Sequence, residues 1–149
     1  MLEKNVCSLS YSIRLHELGI TRKSLFFREY VNDSCHGIKF YPYDVVPDRF
    51  NNYKVFHAYT ASELLEILPK FVDTKTNKPF NFFRIEMTKF IFFEKIFKDG
   101  YIIRYVCDSI EVNDFPTKAI LKSEYDDNLC NCLAKMLIFL LENKYIKID

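Results

Sequence analysis

Apolar residues recur at helical spacing in three parts of this chain. In the segment Ser8 to Leu18 they are Leu9, Ile13, Leu15 and Leu18, and Gly19 follows where a left-handed cap would sit, which predicts a first helix. The second run, Tyr59 to Leu68, is the most sharply specified. Thr60 and Glu63 have capping-box spacing, Leu64, Leu65 and Leu68 fall on one side, and Pro69 ends the run. The third is long: Leu129, Leu133, Met136, Leu137, Leu140 and Leu141 share a broad stripe with Cys132. Asp126 and Asp127 suit its positive end, Lys144 suits its final turn and Asn143 is a natural terminator. Tyr145, Ile146 and Ile148 then predict a short closing strand or a packed tail.

Between these runs the pattern shortens toward a period of two. Thr21 to Tyr30, with Leu25, Phe26, Phe27 and Tyr30, predicts a strand or a tight turn leading into one. His36-Gly37 reads as a turn and Ile38 to Tyr43 as a short strand. Pro42, Pro47 and the polar run from Asp48 to Asn52 read as a surface loop. Lys54 to Ala58 is extended, and Thr74 to Pro79 is a hairpin or loop. Three aromatic-rich strands are expected next, at Asn81 to Met87, Lys89 to Phe97 and Tyr101 to Cys107. Asp99-Gly100 is the expected turn before the last of them.

These elements predict an α+β fold in a single domain, 1–149. An antiparallel sheet of three to five strands would pack against helices near 8–18, 61–68 and 128–143. Both faces of the aromatic strands carry rings or branched side chains. One face is therefore expected against the helices, and the other only partly wet or covered by another subunit.

Composition supports an ordered domain: 49% of the chain is apolar, and glycine and proline are too few for a disordered segment. Fifteen Phe and ten Tyr, with no Trp, suit wide sheet faces and equally suit a partner surface. The net charge of +1 supplies no whole-molecule attraction for nucleic acid. Five scattered cysteines, with no cationic start leading into an apolar secretion segment, imply free thiols in a reducing cytoplasm. Met136 to Leu141, the longest strongly apolar stretch, is too short to cross a bilayer, so no membrane partner is expected.

Candidate chemistry is sparse. Cys35-His36 pairs a nucleophile type with a base type, but neighbours in sequence usually point apart. Cys130 and Cys132 lie about 200° apart around a helix, which makes them poor joint ligands, and Cys7 and Cys107 would have to join them through folding. Asp126-Asp127 reads as helix-end electrostatics, Glu63 has its capping duty and Glu66 faces solvent. Phosphate-loop, dinucleotide and His-Glu-x-x-His motifs are absent from the sequence. No residue is assigned a catalytic, cofactor-binding or metal-ligating role, and no cofactor is expected. An enzyme would need Cys35, His36 or His57 to meet an acid or another polar partner in a pocket. Nucleic-acid binding would need Arg22, Lys23, Arg28, Lys89, Lys95 and Lys98 to converge beside Phe26, Phe27, Tyr30 and the strand aromatics. Glu29, Glu86 and Glu94 interrupt that basic path.

Four blocks, in order, carry a resemblance. They are L-H-E-L-G-I-T (Leu15 to Thr21), S-L-F-F (Ser24 to Phe27), A-Y-T-A-S-E-L-L-E-I-L-P (Ala58 to Pro69) and L-A-K-M-L-I-F-L-L-E-N-K-Y-I (Leu133 to Ile146). Together they resemble small uncharacterised proteins borne by bacteriophages, prophages and related mobile elements. Thr60, Glu63, Leu64, Leu68, Leu137 and Leu141 are the matching positions, all caps or apolar anchors. Phe and Tyr occupy strand regions where such proteins commonly carry Trp. The resemblance implies a non-enzymatic accessory protein. From the aromatic strands, the expected partner is another protein or a second copy met through an aromatic sheet face; the alternatives are a nucleic-acid-binding accessory protein and a small hydrolase or metal-dependent enzyme.

Overall fold

The computed structural model describes residues 2–31, 34–40, 53–73, 80–92, 96–112 and 115–148. Its three α-helices lie where the apolar periodicity places them: α1 at Leu9–Glu17, α2 at Ala61–Ile67 and α3 at Leu129–Glu142. Their ends follow from local chemistry. At α2 the Thr60 hydroxyl accepts the Glu63 N–H while the Glu63 carboxylate accepts the Thr60 N–H, completing the capping box. Leu64 and Leu68 on α2 are buried, but Leu65 turns outward, because one residue along a helix rotates it by about 100°. At α3 the Asn128 side chain caps the Cys130 and Asn131 N–H groups. The expected acidic residue acts one step back: Asp126 accepts the Asn128 N–H and pairs with Lys135 at 2.7 Å.

Helices α1 and α3 close alike. Ile20 N–H donates to Leu15 C=O and Gly19 N–H to His16 C=O. Tyr145 N–H donates to Leu140 C=O and Lys144 N–H to Leu141 C=O. Both are Schellman closures, which need a left-handed residue. Gly19 supplies it at φ 93°, and Lys144 supplies it at φ 57° despite its Cβ. The residues after α3 form a tail without strand structure, and Ile148 lies against Gly19.

The strands divide between two antiparallel sheets. The first contains β1 (Phe26–Val31), β2 (Ser34–Phe40) and β3 (Tyr53–His57) in the order β2-β1-β3. The second contains β4 (Phe71–Val72), β5 (Phe80–Phe92), β6 (Ile96–Val112) and β7 (Phe115–Asp126) in sequence order. The α+β class is as expected, and the second sheet, with four strands, falls within the expected three to five; α2 separates it in sequence from the three-stranded sheet.

Two expected turns lie inside strands. His36-Gly37 belongs to β2, where the pairing steps from Arg28 opposite Ile38 to Glu29 opposite His36. Gly37 is thus the extra residue of a bulge, a common place for glycine in a strand. Asp99-Gly100 belongs to β6, opposite Lys89 and Thr88. Gly100 leaves room for a ring, since a Cβ there would stand 2.3 Å from Tyr125 Cε2. The segments expected at Asn81–Met87 and Lys89–Phe97 share the single strand β5 as far as Phe92. The loops expected at Pro42–Asn52 and Thr74–Pro79 lie outside the described residues. Strand β7 was not expected from its sequence. Its Pro116 is tolerated because β7 is an edge strand.

Helix α3 is the centre of the packing. Its residues Cys130, Cys132, Leu133, Ala134, Met136, Leu137 and Leu140 are buried, with α1 and α2 on one side and β6 and β7 on the other. Each buried leucine contributes roughly 1.5–3 kcal/mol to the folded state. The same cluster takes in Leu15, Tyr59, Leu64, Val72, Ile103 and Tyr105.

The sheet beneath α3 is far longer than the helix. Strand β6 has 17 residues against 14 in α3. At about 3.3 Å per strand residue and about 1.5 Å per helical residue, these span roughly 55 Å and roughly 20 Å. Described packing of α3 on the sheet falls on Tyr101 to Tyr105 and Leu121 to Asp126. The strands continue past it at both ends, toward the Phe92–Ile96 pair and toward the Val112–Phe115 pair.

Candidate functional site

Among the described residues, a polar cluster joins the start of β1, the end of β3 and the N-terminus of α2. It begins with the capping box. Having taken the Thr60 N–H at 2.7 Å, Glu63 Oε2 also accepts the Thr60 hydroxyl at 2.8 Å and the Ser24 hydroxyl at 2.9 Å. Its Oε1 accepts the Leu25 N–H at 2.9 Å. The capping carboxylate therefore reaches a segment nearly forty residues away in sequence. Burial works against its charge, but donors from Thr60, Leu25 and Ser24 more than offset this and hold its pKa below the usual carboxylate value.

His57 completes the cluster. Its Nδ1 accepts the Ser24 main-chain N–H at 3.3 Å, and its ring lies 6.0 Å from that of Tyr59. Burial lowers its pKa, His16 and Lys23 act in the same direction, and Glu63 opposes them without reversing the net shift. Tyr59 is buried and donates to the carbonyls of Arg22 and Ile20 at 2.7 and 3.3 Å. Burial pushes its phenol pKa well above the ordinary range.

Ser24, His57 and Glu63 are the residue types of a nucleophilic triad, but their wiring differs from one. The Ser24 hydroxyl donates to Glu63 and to the Ala58 carbonyl, and its residue is 5% exposed. The imidazole meets the main chain of Ser24 rather than its oxygen. A triad needs the base on the nucleophile and the acid behind the base. This arrangement instead ties a loop to a helix. Reading the sequence identified the capping box and named His57, but it missed Ser24. A serine before a strand has no local feature that marks a partner 39 positions later.

Among the remaining candidates with described side chains, Cys130 and Cys132 separate, while Cys130 and Cys7 come together. Cys35 and His36 occupy β2 positions opposite Tyr30 and Glu29, and their side chains lie outside the described part. Cys130 and Cys132 are both buried and diverge, as their spacing predicts. Cys130 faces Cys7 and Ala61, whereas Cys132 Sγ donates to the carbonyls of Glu124 and Tyr101 at 3.1 and 3.4 Å. Burial pushes these thiols up to about 11 and about 12, so they are protonated at neutral pH. Cys7 is buried beside Ser12, and burial raises its pKa too. Among the described residues these three thiols are free, and no group of three or more His, Cys, Asp or Glu side chains is placed to hold a metal ion.

Of the basic set, the described side chains are Arg22, Lys23 and Arg28, and they do not form one surface. Arg28 is 6% exposed and spends its guanidinium on Glu3 and the Cys7 carbonyl. Arg22 pairs with Glu66 across the surface, and Lys23 is exposed. Phe27 is buried and Phe26 half-buried. Lys89 and Lys98 sit on β5 and β6 opposite Asp99 and Phe90, and Lys95 lies outside the described residues. No helix among the described residues is long and apolar enough to cross a membrane.

Comparisons of the chain with protein-family models, with curated proteins and with solved structures each find no match.

Proposed function

We propose that this chain is a non-enzymatic accessory protein of a phage-like mobile element, working in the cytoplasm by binding another protein or a second copy of itself. The observation that carries this reading is the mismatch between the long β5-β6-β7 sheet and the short helix that covers its middle. Strand ends beyond α3 hold Phe90 and Phe92 of β5, Phe97 of β6 and Phe115 of β7. Aromatic residues are enriched in the cores of protein interfaces. The mobile-element origin rests on the four sequence blocks from Leu15 to Ile146.

Nucleic-acid binding is the weaker alternative. It loses Arg28 to the interior and finds Arg22 already paired with an acid.

The test combines molar mass in solution with affinity capture from host cells in which the element is induced. A dimer or a specific co-purifying protein is expected, lost in a folded Phe90→Ser/Phe92→Ser variant whose circular dichroism is unchanged. A monomer that captures nothing overturns the reading. So does recovery of nucleic acid alone, released by salt.

A further inference from the structure

The segment Ile20 to Leu25 is a passage of irregular backbone between α1 and β1, and it is held largely by side chains from residues 57 to 63. Tyr59 donates to the carbonyls of Ile20 and Arg22, Glu63 accepts from Ser24 and Leu25, and His57 Nδ1 accepts the Ser24 N–H. These holds differ in how they respond to protons. A phenol keeps its proton through neutral and acidic pH. A carboxylate with four donors keeps its charge until well into acid. Only the imidazole has an ordinary pKa close to neutral pH, and burial lowers it here.

We propose that His57 is a proton-operated latch: as a neutral ring it holds the Ser24 N–H through Nδ1, and as an imidazolium it turns that acceptor into a donor and releases the segment Ile20 to Leu25. Protonation places an N–H against an N–H, which removes one bond and leaves the amide of a buried residue unpaired. The charged groups around the ring set the sense of the switch. His16 on α1 and Lys23 on the held segment are basic, Glu63 on α2 is acidic, and burial adds to the basic pair. The junction therefore closes best on the neutral ring. Release exposes the segment that ends in Leu25, whose side chain is already 56% exposed. The latch stands on the junction itself and does not depend on the proposed partner.

The sign follows from linkage. The free imidazole titrates near 6.5 and the latched one below that value. Between those two values the open form binds more protons, so opening grows by up to about tenfold for each unit of falling pH. Well above 6.5 neither form binds the proton, and the latch no longer responds to pH.

The test is amide hydrogen exchange at Ser24 and Leu25, corrected for intrinsic rates, together with NMR titration of the His57 ring in the unaltered chain. Protection of Ser24 is expected to fall severalfold or more between pH 7.5 and 5.5, in step with protonation of His57. Protection of α3 amides such as Leu137 should hold. His57→Asn, whose Oδ1 replaces Nδ1 as a non-titrating acceptor, should keep Ser24 protected across the range. His16→Gln should leave the fall in place. Constant protection in the unaltered chain while His57 titrates overturns the latch, as does an equal fall in a folded His57→Asn chain.

Discussion

Two of the helix junctions in this molecule are made of different materials. Around α3 the contact is broad and mostly apolar, with leucines, a methionine and protonated thiols filling the space between two helices and a sheet. Around α2 the helix has seven residues and buries little beyond Leu64 and the capping Leu68, so its attachment to β1 and β3 relies on directed hydrogen bonds from one carboxylate, one imidazole and two hydroxyls. Apolar burial scales with area and has no preferred direction, so a long helix is held by it alone. A short helix lacks the area. Polar bonds supply the remainder and bring sensitivity to pH with them.

The largest test of this contrast is Leu137→Ala. It should cost about 3 kcal/mol through lost burial and the cavity left behind, measured by urea unfolding. The loss should be the same at pH 5 and pH 8, because no ionisable group depends on that side chain. Glu63→Gln comes next, at about 2 kcal/mol at neutral pH, since an amide oxygen replaces a carboxylate that accepts four donors and the new NH2 faces donors.

This variant should also reshape the acid profile. In the unaltered chain, stability falls with acid in two stages. The His57 stage begins near 6.5 and runs down to its lower folded value. The Glu63 stage begins near the ordinary carboxylate value of 4.5 and runs to below it. Glu63→Gln should remove the second stage and leave a first. An unchanged profile below pH 4.5 would show that the junction's acid response comes from elsewhere.

Thr60→Ala should cost about 1 kcal/mol, the usual worth of an N-cap, measurable as a lower unfolding midpoint at unchanged urea dependence. The smallest effect is a gain. Lys144→Gly should stabilise by somewhat under about 1 kcal/mol by relieving a left-handed backbone that Gly19 already accommodates at the matching place on α1. No gain in midpoint would mean that the lysine side chain contributes as much as its backbone costs.

Much of this fold was legible before the structure because its signals are local. The Thr60–Glu63 box, Gly19 and Asn143 each act within one helical turn, and each does what its spacing predicts. The strand region was harder. Asp99-Gly100 has the composition of a turn, yet the glycine serves the Tyr125 ring of a neighbouring strand. His36-Gly37 looked similar and proved to be a bulge. Strand β7, with Pro116 and no clean alternation, is a strand because β6 pairs with it along most of its length. The candidate basic surface lost Arg28 for a related reason. Its partners, Glu3 and the Cys7 carbonyl, lie 25 and 21 positions earlier in the chain, and nothing beside Arg28 announces them.

The amino-acid sequence by itself determined the three helices, their caps and the apolar stripe of α3, because helix start, stop and facing are decided within four residues along the chain. Tertiary structure alone decided the division into two sheets, the burial of Arg28, and the meeting of Ser24, His57 and Glu63. Those features join residues up to 39 positions apart, and the energy of such a contact depends on a shared low-dielectric space that exists only once the chain has closed around it.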